Sequence, residues 1–519
     1  MSKFVATSLC LIGIGFAPAL AAPFGLRSVT LASFGLSLPG VSAAQREPLT
    51  ITVVGRREPA EASVSVKAMK YIPFDTPSGV TRLVIHKEFD HGAHPELKNT
   101  VDLGLFDPGG YGEGGPGFRA WQGGSPDDLI VAGTVEASSP HAIPGPIPAG
   151  TWHLAQYFLK STPEGLGYKY TITFYFDGEK PPQNRVPVPA YSAGVIRRKT
   201  SWYAGNMHAH TIHSDGGYTL DNLVARNERA GFDFLASTEH NSPTAHYRFA
   251  EVGRDHPDHL LLCGDELTTP SGHANIIGQP PGKFYDFRID AGDGKLSRRI
   301  DEVHRDGGFF TVNHPFAPCT SCFWKYYDDE WKEADAIEVW NNLWTPEDRL
   351  AVDKWDSLLK AGRRISAIGG TDYHRGEDMM SPATLIFAPE LSRRAILDNL
   401  RRGHIILTQS PRSGIECNFA LNNRDVLPGD EITVKGDTIS LAMALTVRCK
   451  NNSDAPKKLR LIYATGERSF DLNATETKLT LDIALPMERK SDYLRAEITD
   501  GNGNMQALTN PVYIKRKAR

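Results

Sequence analysis

Two pairs of metal-binding residue types, each spaced two apart, follow short runs that read as β-strands. His208 and His210 follow Ser201-Trp-Tyr-Ala-Gly-Asn206, and Asp372 and His374 follow Ile365-Ser-Ala-Ile368. At the end of a strand, residues i and i+2 point the same way. Each pair can therefore present two donors to one ion. Asp215, in a Ser-Asp-Gly-Gly turn five residues after His210, can swing back toward the same place as an oxygen ligand. A chain that carries such pairs far apart must fold so that separate strand ends converge.

The stretch between the pairs has the same character. His240 ends Phe234-Leu-Ala-Ser-Thr-Glu-His240, Glu266 ends Leu261-Leu-Cys-Gly-Asp-Glu266, and His314 ends Phe309-Phe-Thr-Val-Asn-His314. His273 follows the next turn, in Ser271-Gly-His-Ala-Asn275. Helical segments alternate with these strands. Thr219 can cap one that stops at Gly231, Thr345-Pro346 opens another that ends at Gly362, and Ser392 caps a last one that runs to Gly403. Repeated strand–helix units predict a parallel barrel over residues 200–412, with chemistry at the C-terminal strand ends.

A chain of 519 residues is too long for one core. Residues 48–195 read as β, with alternating runs such as Tyr168-Lys-Tyr-Thr-Ile-Thr-Phe-Tyr-Phe176 and Gly/Pro-rich connections, and predict an N-terminal antiparallel sandwich. Residues 413–519 return to alternating strands and predict a small C-terminal immunoglobulin-like sandwich. The net charge of −4 makes no electrostatic case for nucleic acid or an anionic membrane surface.

Residues 1–44 read as a leader. Lys3 precedes the apolar run Phe4 to Phe16 and Pro18-Ala-Leu-Ala-Ala22, and a second such pattern ends at Ala44. The apolar run is too short for a stable membrane anchor. Cleavage after Ala22 or Ala44 is expected, with the later site preferred, and implies a periplasmic or secreted protein. Loss of Cys10 with the leader leaves Cys263, Cys319, Cys322, Cys417 and Cys449, an odd number that argues against a complete disulfide framework. Cys319 and Cys322 are expected to form a local disulfide or remain two ordinary thiols; whether Cys417 and Cys449 are bonded is open.

Four motifs, in order, resemble those of the PHP (polymerase and histidinol phosphatase) superfamily: His208-Ala-His-Thr-Ile-His-Ser-Asp-Gly216, Thr238-Glu-His-Asn241, Asn313-His-Pro315 and Gly370-Thr-Asp-Tyr-His374. Gly264-Asp-Glu-Leu-Thr268 with Gly272-His-Ala-Asn275, Glu338-Val-Trp-Asn341, and the closing Tyr493 to Thr499 and Thr509-Asn-Pro-Val512 resemble its carbaryl-hydrolase branch. The resemblance implies a distorted, TIM-like barrel of about seven strand–helix units. It also implies a site of two or three divalent metals. His208, His210, Glu266 and Asp372 would hold one ion; Asp215, His240 and His314 a second; Glu266, His273 and His374 a third, with Glu266 bridging. Many relatives have Asp where Glu239 stands, which gives residue 239 a supporting role around the ligands. His213 is expected to face solvent, and His246, His256, His259, His304 and His404 to be structural.

Imidazole and carboxylate donors suit Zn²⁺, Mn²⁺ or Fe²⁺. Such a centre supplies a metal-bound hydroxide, so no protein nucleophile is needed, and no Gly-x-Ser-x-Gly elbow is present. The resemblance implies hydrolysis of a small-molecule carboxyl or carbamate ester, possible substrates including aryl N-methylcarbamates such as carbaryl. Trp202, Tyr203, Trp340 and Tyr373 are candidates for an aryl pocket. Arg375 is a candidate phosphate clamp for the alternative, a phosphoesterase. A noncatalytic binding protein is the alternative of another class. If the leader is cleaved, N-terminal sequencing of the exported protein begins near Pro23 or Gln45; an intact Met1 on active cytoplasmic protein would contradict it.

Overall fold

The computed structural model describes residues 46–58, 65–90, 100–125, 128–160, 165–319, 321–376, 381–415, 419–421, 424–434, 438–447, 457–472, 477–486 and 491–516. The leader and the Cys417 and Cys449 positions lie outside these residues. Among the described residues no helix is long and apolar enough to cross a membrane.

The N-terminal region forms two four-stranded antiparallel sheets. One has the order Leu49–Arg57, Leu166–Tyr175, Arg82–Phe89, Leu129–Ala132; the other has Lys70–Thr76, Gly150–Lys160, Thr100–Phe106, Phe118–Trp121. Alternate residues of both sheets enter one core, with Leu83, Ile85, Leu103, Leu105, Trp152, Leu154, Ile172 and Phe174 buried together. The second sheet is buried on its other face as well. There Phe118 stacks on Phe284 with ring centroids 3.7 Å apart, and Trp121 packs on Phe287 at 4.5 Å. Arg288 reaches across the same boundary to the Tyr71 hydroxyl at 2.8 Å and the Tyr111 carbonyl at 2.6 Å. Three of this sheet's strands, Lys70–Thr76, Thr100–Phe106 and Phe118–Trp121, were not apparent in the sequence: Pro73 interrupts the first, while in the other two double burial removes the polar alternation and glycines crowd residues 109–117.

The central region contributes nine strands to a longer sheet: β1 (Ser201–Asn206), β2 (Phe234–Ser237), β3 (Leu260–Thr269), β4 (Gly272–Ile277), β5 (Phe309–Val312), β6 (Ala336–Asn341), β7 (Ser366–Gly370), β8 (Ala383–Ala388) and β9 (Ile405–Thr408). Their order is β7-β6-β5-β4-β3-β2-β1-β8-β9. Helices α1 (Leu220–Ala230), α2 (Phe249–Asp255), α3 (Lys295–Arg305), α4 (Pro346–Lys360) and α5 (Arg393–Arg402) lie between them in the chain. Thr219 caps α1 through Asn222 N–H, and Gly231 ends it at φ 101°, a left-handed conformation that glycine adopts without strain. Thr345 and Asp348 form a reciprocal capping box at α4, and Ser392 caps α5.

The expectation of a wholly parallel strand–helix repeat needs correction. β1, β2 and β3 pair in parallel, as do β5, β6 and β7, but β4 is antiparallel to both its neighbours, and β8 is antiparallel to β1 and β9. The link from β3 to β4 is Pro270-Ser271, too short for the helical crossover that parallel strands require. β7 and β8 also meet through the side chain of Thr384, which donates to the Gly369 carbonyl at 2.6 Å and accepts from Gly369 N–H at 3.0 Å.

The C-terminal strands divide between two hairpin sheets of their own, Phe419–Leu421 with Arg424–Val426 and Thr438–Val447 with Thr477–Pro486, and a set that extends the central sheet. β9 pairs with Met505–Thr509, and the sheet continues through Ser491–Thr499, Lys457–Tyr463 and Gly466–Leu472. An ion network fastens it to α4. Arg495, fully buried, donates to both oxygens of Asp356 at 2.8 and 2.7 Å and to Glu497 at 2.8 Å; Arg349 and Arg460 also reach Glu497. Burial opposes the Glu497 charge, but Arg495 and Arg349 overcome it and hold the carboxyl down at about 2. Its stabilisation is therefore complete above the ordinary glutamate value and lost as pH falls toward that lower value. Glu497→Ala should cost about 3 kcal/mol in urea unfolding near neutral pH by leaving the buried Arg495 with Asp356 as its remaining carboxylate. The gap from wild type should narrow near pH 3; a gap that does not change with pH would contradict this account.

Candidate metal centre

The backbone just beyond β1 and β7 places the two i, i+2 pairs side by side. Ala209 bridges Tyr373 in parallel register; Asp372 N–H donates to the His208 carbonyl at 2.8 Å and His210 N–H to the Tyr373 carbonyl at 3.0 Å. His208, His210, Asp372 and His374 thus come from adjacent chain segments. A second bridge joins His240, just beyond β2, to Glu266 within β3. His273 opens β4 instead of ending a strand. Because β4 runs antiparallel, its start lies at the same edge as the ends of its parallel neighbours, opposite Thr268. His314 and Asp372 have positive φ, 22° and 47°, an unfavourable backbone region occupied here by two ligand candidates.

Glu266 is the hub. Its carboxylate, with no exposed surface, lies 3.2 Å from His208 Nε2, 3.6 Å from His210 Nε2, 2.7 Å from His240 Nδ1, 3.3 Å from His273 Nδ1 and 3.4 Å from His314 Nε2. Asp372 lies 3.3 Å from His208 Nε2 and 3.1 Å from His210 Nε2. Asp215 lies 3.5 Å from His240 and 3.2 Å from His374. All nine sequence candidates meet around one centre. The grouping, however, differs from that implied by the resemblance. Asp215 stands with His210, His240 and His374, while His314 stands with His208 and Asp372. The order of the sheet explains this: His314 follows β5, between β4 and β6, whereas Asp215 follows β1, whose continuation pairs with that of β7.

The donor set fits divalent cations. His208 Nε2, Asp215 Oδ1, Glu266 Oε2 and His273 Nε2 are buried without a hydrogen bond, although neighbouring donors crowd them. Burying several charges this way costs several kcal/mol per ion unless other charges compensate. Burial pushes His240 down, but the Glu266 and Asp215 carboxylates overcome it and hold the ring up at about 10. His210 goes the other way, to about 3, through burial and the neighbouring His374 and His240 rings stacked at 4.2 and 4.3 Å.

Supporting groups orient these ligands. Glu338, whose role was not apparent in the sequence, lies 3.0 Å from His208 Nδ1 and leaves Nε2 for the centre. The other Glu338 oxygen accepts from His314 N–H at 3.0 Å and the Asn341 amide at 3.1 Å. Glu239 accepts from Thr211 N–H at 3.0 Å and from the Thr211 and Ser214 hydroxyls, each at 2.6 Å. His374 Nδ1 donates to the Asp372 carbonyl at 2.8 Å, which directs Nε2 toward Asp215.

Several expectations need correcting. His213 is buried, not solvent-facing: its Nδ1 lies 2.7 Å from the Pro140 carbonyl of the N-terminal domain, a partner that local sequence cannot reveal. The four aromatic pocket candidates do not line the cleft beside the centre. Trp202 and Tyr203 lie at the start of β1, away from its ligand-bearing end; Trp202 packs on Phe387, and Tyr203 is in the core. A register shift between Glu338 and Trp340 takes Trp340 out of phase with Glu338 and packs it against Trp344. Tyr373 alternates with Asp372 and His374, stacks on Tyr218 and donates to the Gly376 carbonyl at 2.7 Å. His246, His256, His259, His304 and His404 lie outside the nine-residue centre.

The cleft has a volume of about 720 Å³. Asp215, His240 and His273 line one side, and Asp102, Trp121 and Leu159 of the N-terminal domain line the other. Cys319 and Cys322, joined by a disulfide, and Arg375 also border it. Reconstituted protein should hold at least two transition-metal equivalents by elemental analysis, and Asp372→Asn should lose metal and activity together. A variant fully active without metal would contradict the assignment.

No protein-family model matches the chain, and no curated protein does. Solved structures do. A two-domain protein from Bacteroides vulgatus, described as containing a predicted PHP-like metal-dependent phosphoesterase, is 19% identical, covering 64% of this chain and 100% of its own, with a TM-score of 0.37. A putative metal-dependent phosphoesterase from Bifidobacterium adolescentis is 14% identical, covering 39% and 98%, with a TM-score of 0.29. An amidohydrolase from Chromobacterium violaceum is 15% identical, covering 34% and 89%, with a TM-score of 0.26. Likenesses of this size bear on neither substrate nor mechanism, so the residues of the centre carry the functional argument.

Proposed function

We propose that the protein is an exported metal-dependent hydrolase of carboxyl or carbamate esters. The observation that carries the hydrolase reading is the buried centre of six imidazoles and three carboxylates around Glu266, opening into a cleft through His240, His273 and Asp215. Divalent ions held there supply an acidified water and a Lewis acid for the ester oxygen. The chain supplies the rest: Glu266 and Asp372 fix the imidazoles, Glu338 and Glu239 fix their orientation, and the N-terminal domain covers the cleft.

A neutral ester is favoured over a phosphate monoester by the state of Arg375. Among the described residues lining the cleft it is the one Lys or Arg side chain. It lies exposed and donates to the Asp215 backbone carbonyl at 2.6 Å, so it is anchored at the rim. A phosphate monoester carries about two negative charges near neutral pH and calls for cationic partners besides metal. The leader pattern and the Cys319–Cys322 disulfide support an oxidising compartment outside the cytoplasm.

A hydrolysis panel on metal-reconstituted enzyme tests this reading with 1-naphthyl carbamate, aryl acetate and aryl phosphate esters. We expect higher kcat/KM for the neutral esters, and a change of less than about tenfold in their turnover with Arg375→Ala. Strong phosphatase activity that collapses in Arg375→Ala would favour the phosphoesterase reading. No turnover of any ester at full metal occupancy would favour a binding protein.

A further inference from the structure

The strand Thr100–Phe106 has two buried faces with different partners. Leu103 and Leu105 enter the sandwich core; Phe106, on the opposite face, packs with the central region. Asp102 shares this second face with Gly104 and Phe106 and lies further along the strand, where the face meets the cleft. Gly104 pairs with Trp121, and a Cβ at residue 104 would come within 2.7 Å of the Trp121 ring. The absence of a side chain at residue 104 leaves room for that ring, and Trp121 and Asp102 both line the cleft.

Among the described residues no hydrogen bond satisfies the Asp102 carboxyl. Burial pushes it up to about 7, and it feels His240 and Asp215 of the metal centre on one side and Lys87 on the other. The wall that faces His240, His273 and Asp215 thus combines an apolar plate, Trp121 and Leu159, with one oxygen-bearing group that lacks a partner. Phe118 on Phe284 and Trp121 on Phe287 hold this wall in place, and Ser65 donates to Asp290 at 2.5 Å nearby.

We infer that Asp102 is a specificity residue lent to the metal centre by the N-terminal domain, accepting a hydrogen bond from an N–H or O–H group of an aryl ester whose ring lies on Trp121. This rests on the ester-hydrolase reading and narrows it. The substrate class is an aryl ester whose acyl portion carries a donor, as an N-alkyl carbamate does. The acceptor position and the apolar plate select that combination; an ester without a donor leaves the carboxyl buried against it and unpaired.

The test uses the metal-loaded full chain and two unreactive carbamate mimics, N-methyl-2-(1-naphthyl)acetamide and its N,N-dimethyl analogue, which lacks the N–H. By calorimetry, wild type should bind the N–H amide about tenfold or more tightly than the dimethyl amide, the size of one hydrogen bond to a buried carboxyl. Asp102→Leu should reduce that preference to less than about twofold, whereas Asp102→Asn, which keeps an acceptor oxygen, should retain most of it. Metal content and Tm should match wild type in both variants. In turnover, Asp102→Leu should slow 1-naphthyl N-methylcarbamate far more than 1-naphthyl acetate. Equal binding of the two amides by wild type, or a preference unchanged in Asp102→Leu, would overturn the inference. If wild type discriminates between the amides and yet hydrolyses no ester, the recognition wall stands and the hydrolase reading falls.

Discussion

Everything around the centre depends on keeping one carboxylate, Glu266, charged without water. Five imidazole nitrogens approach it within 4 Å, and a single Asn313 amide hydrogen bond, at 2.9 Å, secures one of its oxygens. Imidazolium groups can balance such a charge: against burial, the carboxylates hold His208, His240, His314 and His374 upward, while burial and the neighbouring rings drive His210 and His273 toward the neutral form. Neutral imidazole is the form that binds a cation. Positive φ at His314 and Asp372 marks two of these donors as held in an unfavourable backbone region.

The same demand explains the way the domains are joined. A cleft that opened directly to solvent would hydrate the carboxylates and weaken every interaction among them. The second N-terminal sheet restricts that access, packing one face in its own sandwich and the other against the central region, while Asp215 keeps 45% of its side chain exposed. His213 shows how close this cover is, since a residue three positions from His210 donates its hydrogen bond to the Pro140 carbonyl. Arg288, with its ties to Asp286, Tyr71 and Tyr111, keeps the two parts in register. The N-terminal domain is therefore part of the site's construction.

What could be seen in the sequence follows from the distance over which each signal acts. The nine ligand candidates were visible because strand ends and i, i+2 spacing are local, and the caps at Thr219, Thr345 and Ser392 were visible for the same reason. The antiparallel course of β4 depends on the short β3–β4 link, a detail hidden by the strand–helix rhythm on either side. The true cleft wall was out of reach. Asp102 and Trp121 sit on strands whose double burial removes alternation, and only the folded chain brings them to His240. The aromatic residues beside the motifs were misleading because proximity in sequence to a ligand sends alternate side chains to the opposite face, as Tyr373 shows between Asp372 and His374.

The regrouping of ligands has a mechanistic consequence. Three independent metal pockets would tolerate loss of one without the others, but here the groups share members. Glu266 belongs with His208 and His210 and also with His240 and His273; His210 and His240 in turn stand with Asp215 and His374. Removing one shared donor exposes the remaining charges of two groups at once, so effects of substitutions around Glu266 cannot add as separate increments. Asp215, His240 and His273 face the cleft, whereas His208 and His314 lie against Glu338. His314, which groups with His208 and Asp372, borders a separate pocket with Phe316 and Asn341. The group nearest the cleft borders the Asp102 and Trp121 wall, and its position there suits the ion that meets substrate.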